Sequence, residues 1–152
     1  MILFTDCSGN AQSQKPTAVA GSSRIEVLDF HTTHRCKTCL AIEQLTKNLL
    51  AESYSDEMKD GIISFRLINA DDEANEAIVE KYLAFGTTLI INTVNEGQES
   101  HIDLTSFAFM NAGDEAKFKA GLKKHLDASL QRLLSASWAL PVISSLPLSG
   151  SR

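Results

Sequence analysis

The chain predicts an α/β fold built on a central mixed sheet of about four strands with helices on both faces. Three observations lead there. Apolar periodicity alternates between strand and helix in the order β-α-β-α-β-β-α. The first strand runs almost directly into a helix that opens on Cys36-Lys37-Thr38-Cys39. At 152 residues with 43% hydrophobic content, the chain can bury one ordinary core, which predicts a single domain.

Each element has its own warrant. Residues 24–31 (RIEVLDFH) form a β-branched and apolar run after the spacer Gly21-Ser22-Ser23 and read as a buried strand. Residues 40–54 read as a helix, because Ile42, Leu45 and Leu49 recur at helical spacing among Glu43, Gln44, Lys47 and Asn48. A second strand is expected over 61–69 (GIISFRLIN), then a helix over 71–85 with Ala74, Ile78, Val79, Tyr82 and Leu83 as its apolar side. Residues 87–94 (TTLIINTV) give a third strand, Asn95-Glu96-Gly97 the turn after it, and 100–104 a short fourth strand. A last helix over 114–134 carries the stripe Phe118, Leu122, Leu126, Leu130 and Leu133 or Leu134, with Lys117, Lys119, Lys123, Lys124 and Asp127 facing away.

The domain is thus expected over 24–134, with two flanks of different character. Residues 1–23, rich in Ser, Gly, Asn, Gln and Ala from Ser8 onward, read as a flexible tether or signal remnant. The opening up to Cys7-Ser8-Gly9-Asn10 resembles the end of a bacterial lipoprotein signal, which would make Cys7 a lipid anchor. A basic leader is missing, and Asp6 stands where such signals use a small neutral residue; a start codon assigned too far downstream would reconcile the fragment with export. The plainer reading is an unstructured tail with an idle thiol. Residues 135–152 form an extension in which Pro141 and Pro147 exclude a long helix, while Trp138, Leu140, Val142, Ile143, Leu146 and Leu148 supply apolar surface to fold back or dock on a partner.

Charge and cysteine count exclude several classes of function. A net charge of −5 and a pI near 5.3 argue against nucleic acid or an anionic membrane surface as partner. No apolar run approaches the roughly 20 residues that span a bilayer. Three cysteines are too few for a disulfide-stapled scaffold, so the close pair is expected to react rather than staple.

That pair sits where a strand turns into a helix. Unpaired N–H groups and the partial positive charge of a helix start favour thiolate over thiol, and Arg35 and Lys37 add positive charge on either side of Cys36. Residues three apart in a helix have β-carbons about 5–6 Å apart, so a small tightening of the first turn would let a disulfide form and break. His31 and His34 invite a second reading, since His31, His34, Cys36 and Cys39 form a full set of zinc or copper ligands within nine residues. The spacing argues against a closed tetrahedral site, because structural zinc draws its ligand pairs from separate elements. In the plainer reading one of His31 and His34 borders and tunes the thiols, with His34 the supporting candidate, and the other is solvated; His101 and His125 are isolated and read as surface residues.

With the Cys-x-x-Cys after the first core strand and the element order above, residues 24–134 resemble the thioredoxin superfamily. More narrowly, Phe30-His31 with Arg35-Cys36-x-x-Cys39, and Gly113-Asp114-Glu115-x-Lys117-Phe118 opening the last helix, resemble a bacterial group labelled ArsF-type or nitrophenyl-compound nitroreductase subunits. A nitroreductase needs a flavin or nicotinamide site, and no Gly-rich phosphate loop is present, so no cofactor is expected. The resemblance implies a thiol–disulfide oxidoreductase in which Cys36 attacks and Cys39 resolves, with Asp29 as a buried acid taking a proton from Cys39. It implies a protein thiol or disulfide partner, among them a membrane thiol–disulfide carrier, and a periplasmic or membrane-tethered location, with the cytoplasm as the alternative. The family's cis-proline matches Thr87 in Phe85-Gly86-Thr87-Thr88, and a trans peptide is expected there because a non-proline cis bond costs about 2.5–4 kcal/mol. A hydroxyl and N–H at Thr87 and a reshaped Gly86 loop would then face the thiols. Two rivals remain: a module holding a soft metal or arsenite on Cys36, Cys39 and a nearby histidine, and a redox-inactive subunit.

Overall fold

The computed structural model describes residues 23–137. Strand β1 (Arg24–His31) leads to α1 (Lys37–Ser53) and a short α2 (Ser55–Lys59), then β2 (Ile63–Asn69) and, after a 3-10 turn (Glu73–Asn75), α3 (Glu76–Tyr82). The hairpin β3 (Thr88–Asn95) and β4 (Gln98–Asp103) follows, then α4 (Thr105–Asn111) and α5 (Glu115–Ser137). The sheet order is β2-β1-β3-β4, with β1 parallel to β2 and β3 antiparallel to both β1 and β4. This is a thioredoxin-like arrangement, as the element order predicts. The Cys7 region and the extension from Trp138 lie outside the described residues, as do the readings made for them.

Each sheet face has its own core. On one side Ile25, Val27, Leu89 and Ile91 pack under Ile42, Leu45, Leu49 and Leu50 of α1 and Phe118, Leu122 and Leu126 of α5. On the other, Leu28, Phe30, Ile68 and Ile90 meet Val79 and Tyr82 of α3. The strand period of two distributes the side chains this way. Asp114 opens α5 by accepting from the Lys117 N–H at 3.1 Å, and Leu133 is the buried member of the last pair while Leu134 is exposed. The hairpin turns on Glu96 and Gly97, both at positive φ, the conformation a two-residue turn needs to match strand twist.

Several boundaries differ from expectation. The helix expected over 71–85 is interrupted: Asp72 caps the 3-10 turn by accepting from the Ala74 N–H, and Leu83 ends α3 in the left-handed region at φ 52°. Ala74 and Leu83 are consequently exposed rather than part of the apolar side. Two short helices went unanticipated. In α4, Leu104, Phe107 and Ala108 turn to the larger core after the Asp103 carboxylate accepts from the Thr105 N–H at 2.8 Å. In α2, Tyr54 at the start is buried and its hydroxyl donates to Asp127 at 2.6 Å across to α5.

Candidate redox site at the start of the cysteine helix

Cys36 and Cys39 are joined in a disulfide, with Cα atoms 5.2 Å apart. Cys36 is not the first residue of the helical turn but its N-cap, extended at φ −82° and ψ 164°, and its sulfur accepts from the Cys39 N–H at 3.1 Å. The expected tightening of a helical turn is therefore not how the sulfurs meet. The extended cap brings Cys36 over the helix end, where its sulfur satisfies an N–H the helix leaves orphaned. Cys36 is exposed and Cys39 buried, 7% accessible, an asymmetry that suits one thiol to meeting a partner and the other to resolving.

The loop before the cap is anchored to the next crossover. Thr32 Oγ1 donates to the His34 carbonyl, and the Thr33 N–H donates to Asp71 beyond β2 at 2.7 Å. These bonds from Thr33 hold the Asp71 carboxyl below the usual carboxylate range. His34 and Lys37 are exposed, whereas His31 is half-buried with Nδ1 2.9 Å from the Thr32 carbonyl. Among the described residues no group of three or more His, Cys, Asp or Glu converges as a metal site, so the His31, His34, Cys36 and Cys39 set is not assembled. His31 closes β1 and His34 lies in the loop that follows, while Cys36 caps α1 and Cys39 lies in its first turn. His125 is half-buried with its ring centroid 6.2 Å from that of Phe107, a correction to its surface reading; exposed His101 meets the Tyr82 ring edge-on at 5.2 Å.

Asp29 lies on the cysteine-helix side of the sheet. It alternates with Leu28 and Phe30 of the smaller core and shares the face of Ile25 and Val27, under α1. It is fully buried, and neither carboxyl oxygen has a hydrogen-bond partner. Burial, reinforced by the charge of Glu43, pushes its pKa up to about 7, against the pull of Arg35 and Lys47.

Arg35 departs from its expected place beside Cys36. Its guanidinium turns inward to pair through Nη1 with Glu43, and its Nε and Nη2 are buried without partners. Glu43 also accepts from Lys47, and although burial pushes its carboxyl up, these two cations outweigh burial and hold it below the usual range. Sequence reading placed Glu43 and Lys47 on the polar side of α1. The Glu43 side chain is in fact only 14% accessible, and the signal that could have found it is Arg35, a long cation two turns away needing an anion.

The loop before β3 reaches the same end of the sheet. Pairing of Phe30 with Thr88 sets Thr87 beside the end of β1, from which the cysteine loop departs. Every peptide bond among the described residues is trans, Gly86-Thr87 included, and the Gly86 carbonyl accepts from Thr88 Oγ1 at 3.2 Å. Gly86 and Thr87 are half-buried, while Phe85 is 68% exposed at the rim. Beyond it opens an acidic cleft of about 380 Å³ whose walls include Asp71, Glu73, Glu76, Glu80 and Phe85 but neither cysteine.

The fold and this site together define a thioredoxin-like α/β protein carrying a Cys-x-x-Cys disulfide at a helix start. No protein-family profile and no curated protein sequence matches the chain. No helix among the described residues is long and apolar enough to cross a membrane.

Proposed function

We propose that the protein is a thiol–disulfide oxidoreductase acting on a protein partner. The observation that carries this is the unequal pair: an exposed Cys36 capping α1 and a buried Cys39 bonded to it. In the reduced protein the Cys36 thiolate, favoured by the helix start, attacks a partner disulfide, and the partner's leaving sulfur takes a proton. Cys39 then loses its proton, for which Asp29 is the buried acceptor on the same side of the sheet, and attacks the Cys36 sulfur. The partner leaves as a dithiol and Cys36–Cys39 closes, so two electrons pass from protein to partner; an external dithiol donor restores the pair. An exposed sulfur that does not line the acidic cleft beside it suits a macromolecular disulfide better than a small ligand.

The finer reading follows the resemblance to the ArsF-type group: a bacterial, periplasmic or membrane-tethered protein passing electrons to or from a membrane thiol–disulfide carrier. Thr87 in the proline position makes it a dedicated exchanger rather than a general reductase. The test is turnover of a protein disulfide such as insulin with a dithiol donor, in the wild type and in Cys36→Ser and Cys39→Ser. Exchange in the wild type, loss in Cys36→Ser, and a trapped mixed disulfide in Cys39→Ser are expected. No exchange, with arsenite or copper(I) retained by the reduced pair, would replace this reading with the binding module.

A further inference from the structure

Arg35 immediately precedes the cysteine that caps α1, so chain position alone would set its cation beside the Cys36 sulfur. It goes elsewhere. The guanidinium lies inward, its side chain 19% accessible, paired to Glu43, with two of its three nitrogens buried and unpartnered. No hydrogen bond from Arg35 reaches the cap sulfur, whose one donor is the Cys39 N–H. A guanidinium that leaves buried donors unpaired is being held by something, and the one anion on it is Glu43.

We propose that Glu43 is a positioning residue for the thiol chemistry: its carboxylate draws Arg35 inward and so withholds that cation from Cys36 while keeping it near Asp29. The proposal rests on the exchange reading and adds to it a setting for the reactivity of each thiol. Lys47 completes the arrangement, since it also pairs with Glu43 and keeps the carboxylate charged when Arg35 is absent. The charged groups acting on Asp29 are Glu43 and Lys47 of α1 and Arg35 of the loop; its strand neighbours in register, Leu67 and Leu89, carry no charge. Around Cys36 the other titratable or charged side chains are the exposed His34 and Lys37 and, across the loop, Asp71, tied to Thr33; the 83–87 loop at this end has none.

Removing the charge of Glu43 therefore has a stated direction. In Glu43→Gln the amide keeps the size of the side chain and Arg35 loses its one anion, which frees it to turn toward the adjacent Cys36 thiolate. Arg35→Gln removes a cation that was not facing Cys36, so the thiol is unchanged. For Asp29 the sign is fixed in one variant: Arg35→Gln removes a cation that pulls its midpoint down, so the midpoint rises from about 7.

The experiment measures alkylation of Cys36 against pH in the reduced full chain carrying Cys39→Ser, alone and with Glu43→Gln, Arg35→Gln or both. The expected result is roughly tenfold faster alkylation near pH 6 with Glu43→Gln, no change with Arg35→Gln, and return to the parent rate in the double variant. A Glu43→Gln rate within about twofold of the parent overturns the proposal, as does an increase that persists without Arg35. A carbon-13 titration of the Asp29 carboxyl in the oxidised chain supplies the second readout: a midpoint raised in Arg35→Gln supports an Arg35 held toward Asp29, and an unchanged or lowered midpoint overturns it. Neither readout needs turnover, so failure of the insulin assay removes the exchange reading without deciding this one.

Discussion

Asp29→Asn should change how stability depends on pH. Both carboxyl oxygens of Asp29 are buried without partners, and the folded protein raises its pKa from 3.8 to about 7. Between those values the unfolded chain has released the proton and the folded chain still holds it, so the unfolded state binds fewer protons and stability falls as pH rises. The contribution is fully present below the unfolded pKa and lost by the time pH passes the folded value. At ~1.4 kcal/mol for each pH unit, the loss amounts to about 4 kcal/mol. An amide at this position carries no ionisation, so its own unpaired atoms add an offset that is the same at every pH. Urea denaturation of oxidised wild type and Asp29→Asn at pH 4, 6 and 8 measures the difference, with all other carboxyls except the neighbouring Glu43 cancelling. The wild type should lose about 4 kcal/mol relative to the variant between pH 4 and 8, most of it before pH 7. A difference constant within ~0.5 kcal/mol over that range would refute the claim that burial beneath the cysteine helix raises the pKa of this carboxyl.

Two further predictions concern the scaffold. Tyr54→Phe keeps the buried ring and its contact with Lys123 but loses the hydroxyl bonds to Asp127 at 2.6 Å and the Lys123 carbonyl at 3.2 Å; the denaturation midpoint should fall by an amount equal to about 1–2 kcal/mol. Gly121→Ala gains helix propensity of about 1 kcal/mol, yet its new Cβ would lie 2.3 Å from the Phe107 ring, itself packed on Phe118 and His125. The clash should outweigh the gain and lower the thermal midpoint, and an unchanged or raised midpoint would show that α4 yields freely.

Strong periods made much of the fold legible. The runs at 24–31 and 87–94, the turn at Glu96-Gly97 and the α5 stripe fall close to where they were expected, because each repeats its signal over several residues. The short helices did not show, since seven residues or fewer hold at most two turns of pattern. The break in the expected 71–85 helix came from an Asp72 cap and the left-handed Leu83, neither marked by a glycine or proline. At the site, the cysteines at a strand-to-helix junction were legible from the motif. The facing of Asp29 was not, because β1 carries apolar residues on both parities, Ile25 and Val27 on one and Leu28 and Phe30 on the other. Glu43 reads as solvent-facing because it falls between the apolar positions Ile42, Leu45 and Leu49 of the helical period. Only the return of Arg35 over α1 turns it inward.

Chemistry and stability are thereby separated along one helix. Toward its end α1 presents Leu45, Leu49 and Leu50 to Ile25, Val27 and the α5 stripe, a continuous apolar contact. Toward its start it covers Asp29, Arg35 and Glu43, polar groups whose burial leaves four atoms without hydrogen bonds. Each such atom costs about 1–3 kcal/mol, a penalty a marginally stable domain bears only with an ample core elsewhere. Ile42, fully buried one turn after Cys39, marks where the apolar contact begins. A hydrophobic substitution at Asp29 would thus be expected to strengthen the fold, whereas one at Glu43 would strip the Arg35 guanidinium of its one anion and weaken it. The polar end of α1 is costly as packing, and under the proposed exchange it is the environment that keeps an exposed and a buried sulfur unequal.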